Sequence, residues 1–238
     1  MKKYAEVFWT PFYPDQQQMN WVEIAFQPPK PLYPEIQKAR PNVSYLECPA
    51  VGDTYKNDFL VSAPFDLNVS VDYEQRFVAI DRFGNNFFDA FLNNRQNTFI
   101  DGLPFLVTIP PKYLFFSHDD VEIEPQDVPI LHSLTNSNFR VVRGKYNISK
   151  WRRAIDLTVE VIDPAKGIQM RESDPLFALR FHTPNNVPVK LTRVELTTAL
   201  RKQVDACVTL KHICPYKKLK EVYAMAENYI ASIKAREK

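Results

Sequence analysis

The amino-acid sequence predicts a mainly β protein, with an antiparallel β-sandwich or jelly-roll core and a two-helix C-terminal extension. Three observations lead to this prediction. Short apolar runs recur at a spacing of about 8–12 residues, which is typical of antiparallel strands. The 19 prolines and only 5 glycines punctuate the chain, which argues against long βαβ units. Beyond Thr192 the apolar residues change from period two to helical spacing.

The composition is that of a folded chain. Of 238 residues, 45% are hydrophobic, and 17 Phe, 11 Tyr and 3 Trp supply an aromatic content that disordered chains lack. The net charge of +2 and the scattered Lys and Arg residues leave no electrostatic footprint for nucleic acid. The sequence begins without the apolar run of a signal peptide, and no apolar stretch approaches a membrane span. The three cysteines are expected to be reduced, so a soluble, intracellular protein is predicted.

Residues 1–42 are predicted to form an extended, proline- and aromatic-rich arm packed on the core. Prolines interrupt the segment repeatedly, and two short apolar pieces between them, Ala5–Trp9 and Trp21–Phe26, are predicted strands. The aromatic side chains of this segment require burial, so we expect the arm to pack on the core rather than to act as a linker.

Residues 43–190 are predicted to be the β-sandwich core. Leu67, Val69 and Val71 alternate with polar residues, which is the pattern of a strand with one buried face. Two later strands end at Asp-Pro or Thr-Pro pairs, because the residue before a proline is kept out of the helical conformation. The other strands expected here are Phe59–Ser62, Arg76–Ile80, Phe105–Ile109, Tyr113–Ser117, Phe139–Arg143, Leu157–Ile162 and Leu176–His182.

Residues 191–238 are predicted to be helical. Thr192 and Glu195 match a capping box, in which a hydroxyl and a carboxylate satisfy backbone N–H groups at the start of a helix. The apolar stripe of this first helix consists of Leu196, Ala199, Leu200 and Val204. After Pro215 a second stripe follows at helical spacing: Leu219, Val222, Tyr223, Ala226, Ile230 and Ile233. Its predicted partner-binding residues are Leu219, Val222, Tyr223 and Ile230.

Common catalytic signatures are absent from the sequence, which has no glycine-rich phosphate loop, nucleophile elbow, HExxH or CxxC motif. The sharpest candidate is an iron site of His118, Asp120 and His182, since two histidines and one carboxylate form the facial triad of non-haem iron enzymes. The pattern resembles the 2-oxoglutarate-dependent oxygenases. This resemblance implies Fe(II) and a double-stranded β-helix core, with Arg193 binding the carboxylate of 2-oxoglutarate. In that family a short hydroxyl residue follows the arginine two places on, where this chain has Glu195.

The same residues also have a structural interpretation. His118 would then cap a turn, Asp120 would be solvated and His182 would sit in a strand.

A second metal hypothesis rests on four residues with the ligand count of a Cys₃His zinc site, namely Cys48, Cys207, His212 and Cys214. Because no CxxC or CxxH knuckle pairs them, buried thiols are the alternative. Trp151, beside Arg152 and Arg153, is either an anion or partner contact or a cation–π pair packed on the core.

A series of short segments follows in a fixed order along residues 45–182. They are Tyr45–Ala50, Lys56–Val61, Ser62–Leu67, Tyr113–Ser117, Gly144–Arg152 and Asp174–Phe181. In this order they resemble a family of uncharacterised proteins of tailed bacteriophages, including phages of marine cyanobacteria. The resemblance implies a viral origin, located in the host cytoplasm or the virion, and no particular reaction. In that family the residue after the Tyr113–Ser117 segment is commonly acidic, where this chain has His118.

The sequence therefore predicts a phage-encoded, non-enzymatic protein that binds another protein or belongs to the virion. The basis is the lack of catalytic motifs, the aromatic arm and the amphipathic terminal helix. A protein partner or self-association is expected, with no nucleic acid and no membrane. The alternative is an Fe(II)/2-oxoglutarate-dependent oxygenase that uses His118, Asp120 and His182.

Overall fold

Where the structure describes the chain, its secondary structure is mainly β, with several sheets and four α-helices, and the mainly β character is as the sequence predicts. The computed structural model describes residues 3–12, 27–72, 77–80, 105–109, 113–128, 130–131, 138–155, 157–214 and 216–236. The predicted strand Trp21–Phe26 lies outside these residues. Each of the other predicted strands corresponds to an observed one, with small differences at the ends.

The strands are numbered in chain order. The described residues form β1 (Ala5–Pro11), β2 (Lys30–Pro31), β3 (Asp58–Ser62), β4 (Leu67–Asp72), β5 (Phe77–Ile80), β6 (Phe105–Ile109), β7 (Tyr113–Ser117), β8 (Glu122–Gln126), β9 (Phe139–Val141), β10 (Tyr146–Asn147), β11 (Leu157–Val161), β12 (Ile168–Met170), β13 (Pro175–His182) and β14 (Val189–Arg193). The α-helices are α1 (Leu32–Ala39), α2 (Pro49–Tyr55), α3 (Thr198–Ile213) and α4 (Leu219–Arg236). Short 3₁₀ turns span Ser44–Glu47 and Pro184–Asn186.

These strands form four sheets within the described part of the chain. Their strand orders are β14-β1-β7, β10-β8-β13-β3-β2, β6-β11-β9 and β12-β4-β5. β1 and β14 are parallel, and the other strand pairs of these sheets are antiparallel. The antiparallel character of the core follows from its short strands, since a parallel pair needs a crossover of a dozen or more residues.

The first strand of the predicted arm is the central strand of a sheet. Val7 lies opposite Leu191 on one side and opposite Ser117 on the other. Ala5, Val7 and Trp9 are buried, which is the face expected from the period of a strand. The N-terminal segment is therefore joined to the core by two ladders of backbone hydrogen bonds, in addition to its apolar side chains.

Two helices lie outside the predicted C-terminal extension, α1 in the segment predicted to be extended and α2 in the predicted β core. In α1, Leu32 and Ile36 are one turn apart and pack against Leu46 and Leu60. Pro34 is tolerated because it stands in the first turn, where backbone N–H groups have no partner within the helix. α2 likewise begins with Pro49 at its first position. Proline thus marks helix starts here as well as extended chain.

The predicted capping box at Thr192 is wrong. Thr192 lies in β14 opposite Phe8, and its Oγ1 donates to Oε1 of Glu6 at 3.2 Å. The cap of α3 is Thr197, whose Oγ1 accepts from the N–H of Leu200 at 3.2 Å. The physical reason is that the edge of β1 offers backbone partners to residues 189–193, and this pairing prevails over the local motif. The change of period consequently falls some five residues later than predicted.

The largest buried cluster draws side chains from all four sheets. Phe115 of β7 and Phe181 of β13 join two of the sheets, with ring centroids 5.7 Å apart. Phe59 of β3 meets Phe181 edge to face at 5.6 Å. Such aromatic pairs bury large apolar areas, and burial of apolar surface is the main favourable term in folding.

Candidate functional site

The two C-terminal helices pack against each other and against a tryptophan of the β core. Val222, Ala226 and Ile230 recur every fourth residue on α4 and form a buried cluster with Trp151 and Cys207. The backbone N–H of Arg152 donates to Sγ of Cys207 at 3.4 Å. α4 is thus held on the core by an apolar cluster centred on Trp151, which Cys207 of α3 shares. Leu200 and Val204 of α3 pack separately against Leu114 of β7.

The structure places most of the predicted partner-binding residues at this cluster, and their binding of a partner stays a prediction. Val222 and Ile230 are each only 7% exposed, so they are used inside the chain. Oη of Tyr223 accepts the N–H of Asn147 at 3.1 Å, which also directs this side chain inward. Of the four predicted residues, Leu219 alone is exposed, at 55%. The spacing of the stripe correctly indicated a helix with one apolar face, but that face meets Trp151.

A cleft of about 260 Å³ opens beside this cluster, at the interhelical turn (described residues 214 and 216–218). Its apolar and aromatic wall consists of Tyr146, Trp151, Leu219, Val222 and Tyr223. Its polar lining consists of Arg153, Lys217 and Cys214. A second, more open cleft of about 400 Å³ adjoins it and is lined by the turn itself, with Ile213, Tyr216, Lys218 and Glu221.

Three large apolar side chains project into solvent around these two clefts. Tyr216 is 99% exposed, Ile213 70% and Leu219 55%. We call Ile213, Tyr216 and Leu219, together with the two clefts, the turn surface. The helical spacing of apolar residues does not predict this surface, because Ile213 and Tyr216 are not part of either stripe. The available signal was a set of apolar residues on both sides of the helix-breaking Pro215.

The hydroxyl of Tyr146 is the unusual polar group of the smaller cleft. β10 places it there by pairing Tyr146 with Ile123 of β8. Its Oη is buried and has no hydrogen-bond partner in the described part of the protein. Burial raises the pKa of Tyr146 well above its usual range, while the nearby positive charge of Arg153 opposes the shift. At neutral pH the phenol therefore stays protonated and able to donate.

Alkaline titration of the tyrosines tests whether Tyr146 is buried as described. Burial raises the pKa of Tyr113, Tyr146 and Tyr223, and an unperturbed tyrosine titrates near pH 10. A folded-state pKa above the unfolded value contributes stability that is complete below about pH 10 and is lost as the pH rises further. Monitoring tyrosinate absorbance and circular dichroism together, we expect these three of the 11 tyrosines to ionise last, together with unfolding. Ionisation of all tyrosines in one step near pH 10, with the fold intact, would contradict this.

The residues of the predicted iron site lie apart and have other partners. His182 Nε2 is 2.8 Å from Oε2 of Glu124 in the five-stranded sheet. Asp120 Oδ1 accepts from Nδ2 of Asn147 at 2.7 Å. His118 follows β7, in a different sheet, and its ring lies 5.6 Å from that of Phe8.

Neither metal hypothesis gains support from this geometry. The guanidinium of Arg193 lies over the ring of Trp9 at 5.6 Å, away from any convergent ligand set. Within the residues that the structure describes, no group of three or more His, Cys, Asp or Glu could hold a metal ion. Of the predicted zinc ligands, Cys48 is exposed, Cys207 is buried and Cys214 lines the clefts. The oxygenase and zinc hypotheses remain predictions from sequence.

Comparisons with known proteins return no match. No protein-family model matches the chain, no curated protein matches it, and no solved structure matches its fold. The resemblance to bacteriophage proteins therefore stays a prediction. Among the described residues, no helix combines the length and the apolar character that crossing a membrane requires.

Proposed function

We propose that the chain is a non-enzymatic, protein-binding protein and that the turn surface is where the partner docks. The observation that supports this most strongly is the exposure of Ile213, Tyr216 and Leu219 beside two clefts. Clustered large apolar side chains on a surface are typical of interaction sites. In protein interfaces, most of the binding energy comes from a few anchors that fill pockets.

The size of the smaller cleft favours a side chain over a cofactor. Pockets for drug-sized ligands hold about 300–1,000 Å³. The smaller cleft, at about 260 Å³, is below that range and suits one apolar side chain of a partner. The wall formed by Trp151, Leu219 and Tyr223 supplies the apolar contact that such an anchor requires.

The charged residues that line the two clefts indicate which kind of partner segment binds there. Arg153 and Lys217 line the smaller cleft, and Lys217 and Lys218 line the larger one. Glu221 is the acidic residue that lines the larger cleft, and its Oε2 lies 3.9 Å from Nζ of Lys217. Since complementary charge steers partners together and rejects others, the occupant we propose is an acidic segment of another protein that carries one apolar side chain.

The proposal also covers how the sheets of the core pack and where the protein acts. We propose that the four sheets pack as a β-sandwich or jelly roll, which their antiparallel pairing and shared buried cluster support. The order of segments along residues 45–182 supports a tailed bacteriophage as the source. Such a protein would act in the host cytoplasm or in the virion.

Selection from a random peptide library tests the docking surface. Immobilised protein is expected to enrich peptides with one apolar residue flanked by Asp or Glu. The double variant Tyr216→Ser/Leu219→Ser should bind them at least about tenfold more weakly, because apolar anchors dominate affinity. The matched control is Val142→Ser/Ile162→Ser, which removes two other exposed apolar side chains and should bind like the unaltered protein.

Two outcomes would count against the proposal. One is that no peptide is enriched, or that both double variants bind equally well. The other is a dimer, detected by light scattering, that the Tyr216→Ser/Leu219→Ser variant abolishes, because the occupant would then be a second copy of the chain. Truncation of residues 215–238 is not a clean test, since it would uncover Trp151 and Cys207.

A further inference from the structure

The hydroxyl of Tyr146 is a buried donor without a hydrogen-bond partner among the described residues. Buried hydroxyl groups in proteins normally have a partner, and one left without it is costly. The Oη of Tyr146 has none among the described residues, whereas Oη of the adjacent Tyr223 accepts the N–H of Asn147. Tyr146 also lines the smaller cleft, but its Oη is buried, so a bound molecule reaches the hydroxyl only when the lining side chains move apart.

The charge around this hydroxyl is positive. Arg153 acts electrostatically on the phenols of both Tyr146 and Tyr223. Lys217 lines the same cleft, with its Nζ 3.9 Å from Oε2 of Glu221. No acidic residue is among the described residues that line it. Glu122 acts on Tyr223, but its Oε2 is paired with Nζ of Lys145 at 2.8 Å.

We propose that the smaller cleft recognises a carboxylate next to an apolar side chain, with the Tyr146 hydroxyl donating to the carboxylate and Arg153 and Lys217 supplying the positive charge. This inference rests on the proposed function and specifies its anchor. Hydrogen bonds to an ionised acceptor are about twice as strong as neutral ones, so a protonated, desolvated phenol beside cations favours a carboxylate over an amide. Trp151 and Leu219 then contact the apolar part of the ligand.

Small probes test the carboxylate directly. Phenylacetate and phenylacetamide have nearly the same shape and differ in charge, and their binding can be followed by chemical-shift titration. The unaltered protein is expected to bind phenylacetate about tenfold more tightly than phenylacetamide, as is typical for a charge-assisted bond. In Tyr146→Phe this preference should fall to about threefold or less, with binding of the amide unchanged. The control Tyr229→Phe, on an exposed part of α4, should keep the full preference.

Equal binding of the two probes, or an unchanged preference in Tyr146→Phe, would overturn the inference. Thermal unfolding of Tyr146→Phe provides a second readout. Because the substitution removes a hydroxyl without a protein partner, we expect an unchanged or higher Tm. A marked fall in Tm would show that the hydroxyl has a partner within the protein, which would equally overturn the inference.

Paired peptides then identify the source of the carboxylate. One pair is acetyl-Gly-Gly-Phe with a free or an amidated C-terminus, and the other is acetyl-Gly-Phe-Asp-Gly-amide with Asp or Asn. A preference for the acid in either pair supports the inference and names the source as a chain terminus or an acidic side chain. No preference in either pair contradicts it. If library peptides bind at Tyr216 and Leu219 without an acidic residue, the proposed function stands and this inference fails.

Discussion

Replacing Gly167 by alanine is expected to lower the free energy of unfolding by about 2–6 kcal/mol. Gly167 has a φ of +61°, in the left-handed region that residues with a Cβ seldom adopt. It precedes β12, and a Cβ there would overlap the carbonyl oxygen of Val69 in the paired strand β4. Backbone strain of this kind costs about 1–3 kcal/mol, and displacing a packed neighbour costs about as much again.

Gly144→Ala is the matched control for this prediction. A Cβ added at Gly144 meets no atom within 4 Å, and the residue lies in an exposed loop. Alanine at a compatible position reduces the freedom of the unfolded chain, so we expect a change between zero and a stabilisation of about 1 kcal/mol. Denaturant unfolding followed by fluorescence measures both variants. Equal effects of the two substitutions would show that the turn before β12 does not constrain the sheet as described.

Trp151→Ala is expected to cost about 3–5 kcal/mol, the range for removing a large aromatic side chain from a packed site. Trp151 is 4% exposed, and its ring centroid lies 5.9 Å from that of Tyr223. It contacts residues of both C-terminal helices in a cluster that contains no second tryptophan among its described members. Its loss should therefore release α4 before the sheets and before α3, because Leu200 and Val204 of α3 also pack on Leu114. Amide hydrogen exchange can resolve this order.

Tyr216→Ala provides the comparison for Trp151→Ala. Because Tyr216 is almost fully exposed, we expect a change in unfolding free energy within about 0.5 kcal/mol. If Trp151→Ala were equally mild, or if the amides of α4 kept their protection, the cluster would not be what holds α4 on the core. Together the two variants separate the structural role of the cluster from the binding role proposed for the turn surface.

The strands were predictable because their signal is local. The alternation around Val69 and the Asp-Pro and Thr-Pro boundaries lie within a few residues of the elements that they mark. The helical spacing of Val222, Ala226 and Ile230 is local in the same sense, and α4 is confirmed. α1 and α2 were missed because their prolines stand at helix starts, where the same residue is compatible with helix and with extended chain.

The candidate site was not predictable to the same degree. Tyr146, Arg153 and Leu219 come from a strand, a loop and a helix that are distant in sequence, and only packing brings them to one cleft. The iron hypothesis gained no support for the converse reason. His118 and His182 fit a motif along the chain, but His118 follows β7 of one sheet and His182 ends β13 of another. A spacing along the chain does not determine a distance in space.

The sequence by itself determined that this chain is mainly β with two C-terminal helices, because hydrophobic period and proline position act over a few residues. Only the tertiary structure decided that Thr192 lies in a strand, since its backbone partners are in β1, more than 180 residues earlier. It also decided which apolar residues of α4 are buried and which remain exposed. Trp151 covers the face of Val222 and Ile230, and Leu219 is left at the turn surface, because burial depends on what a side chain packs against.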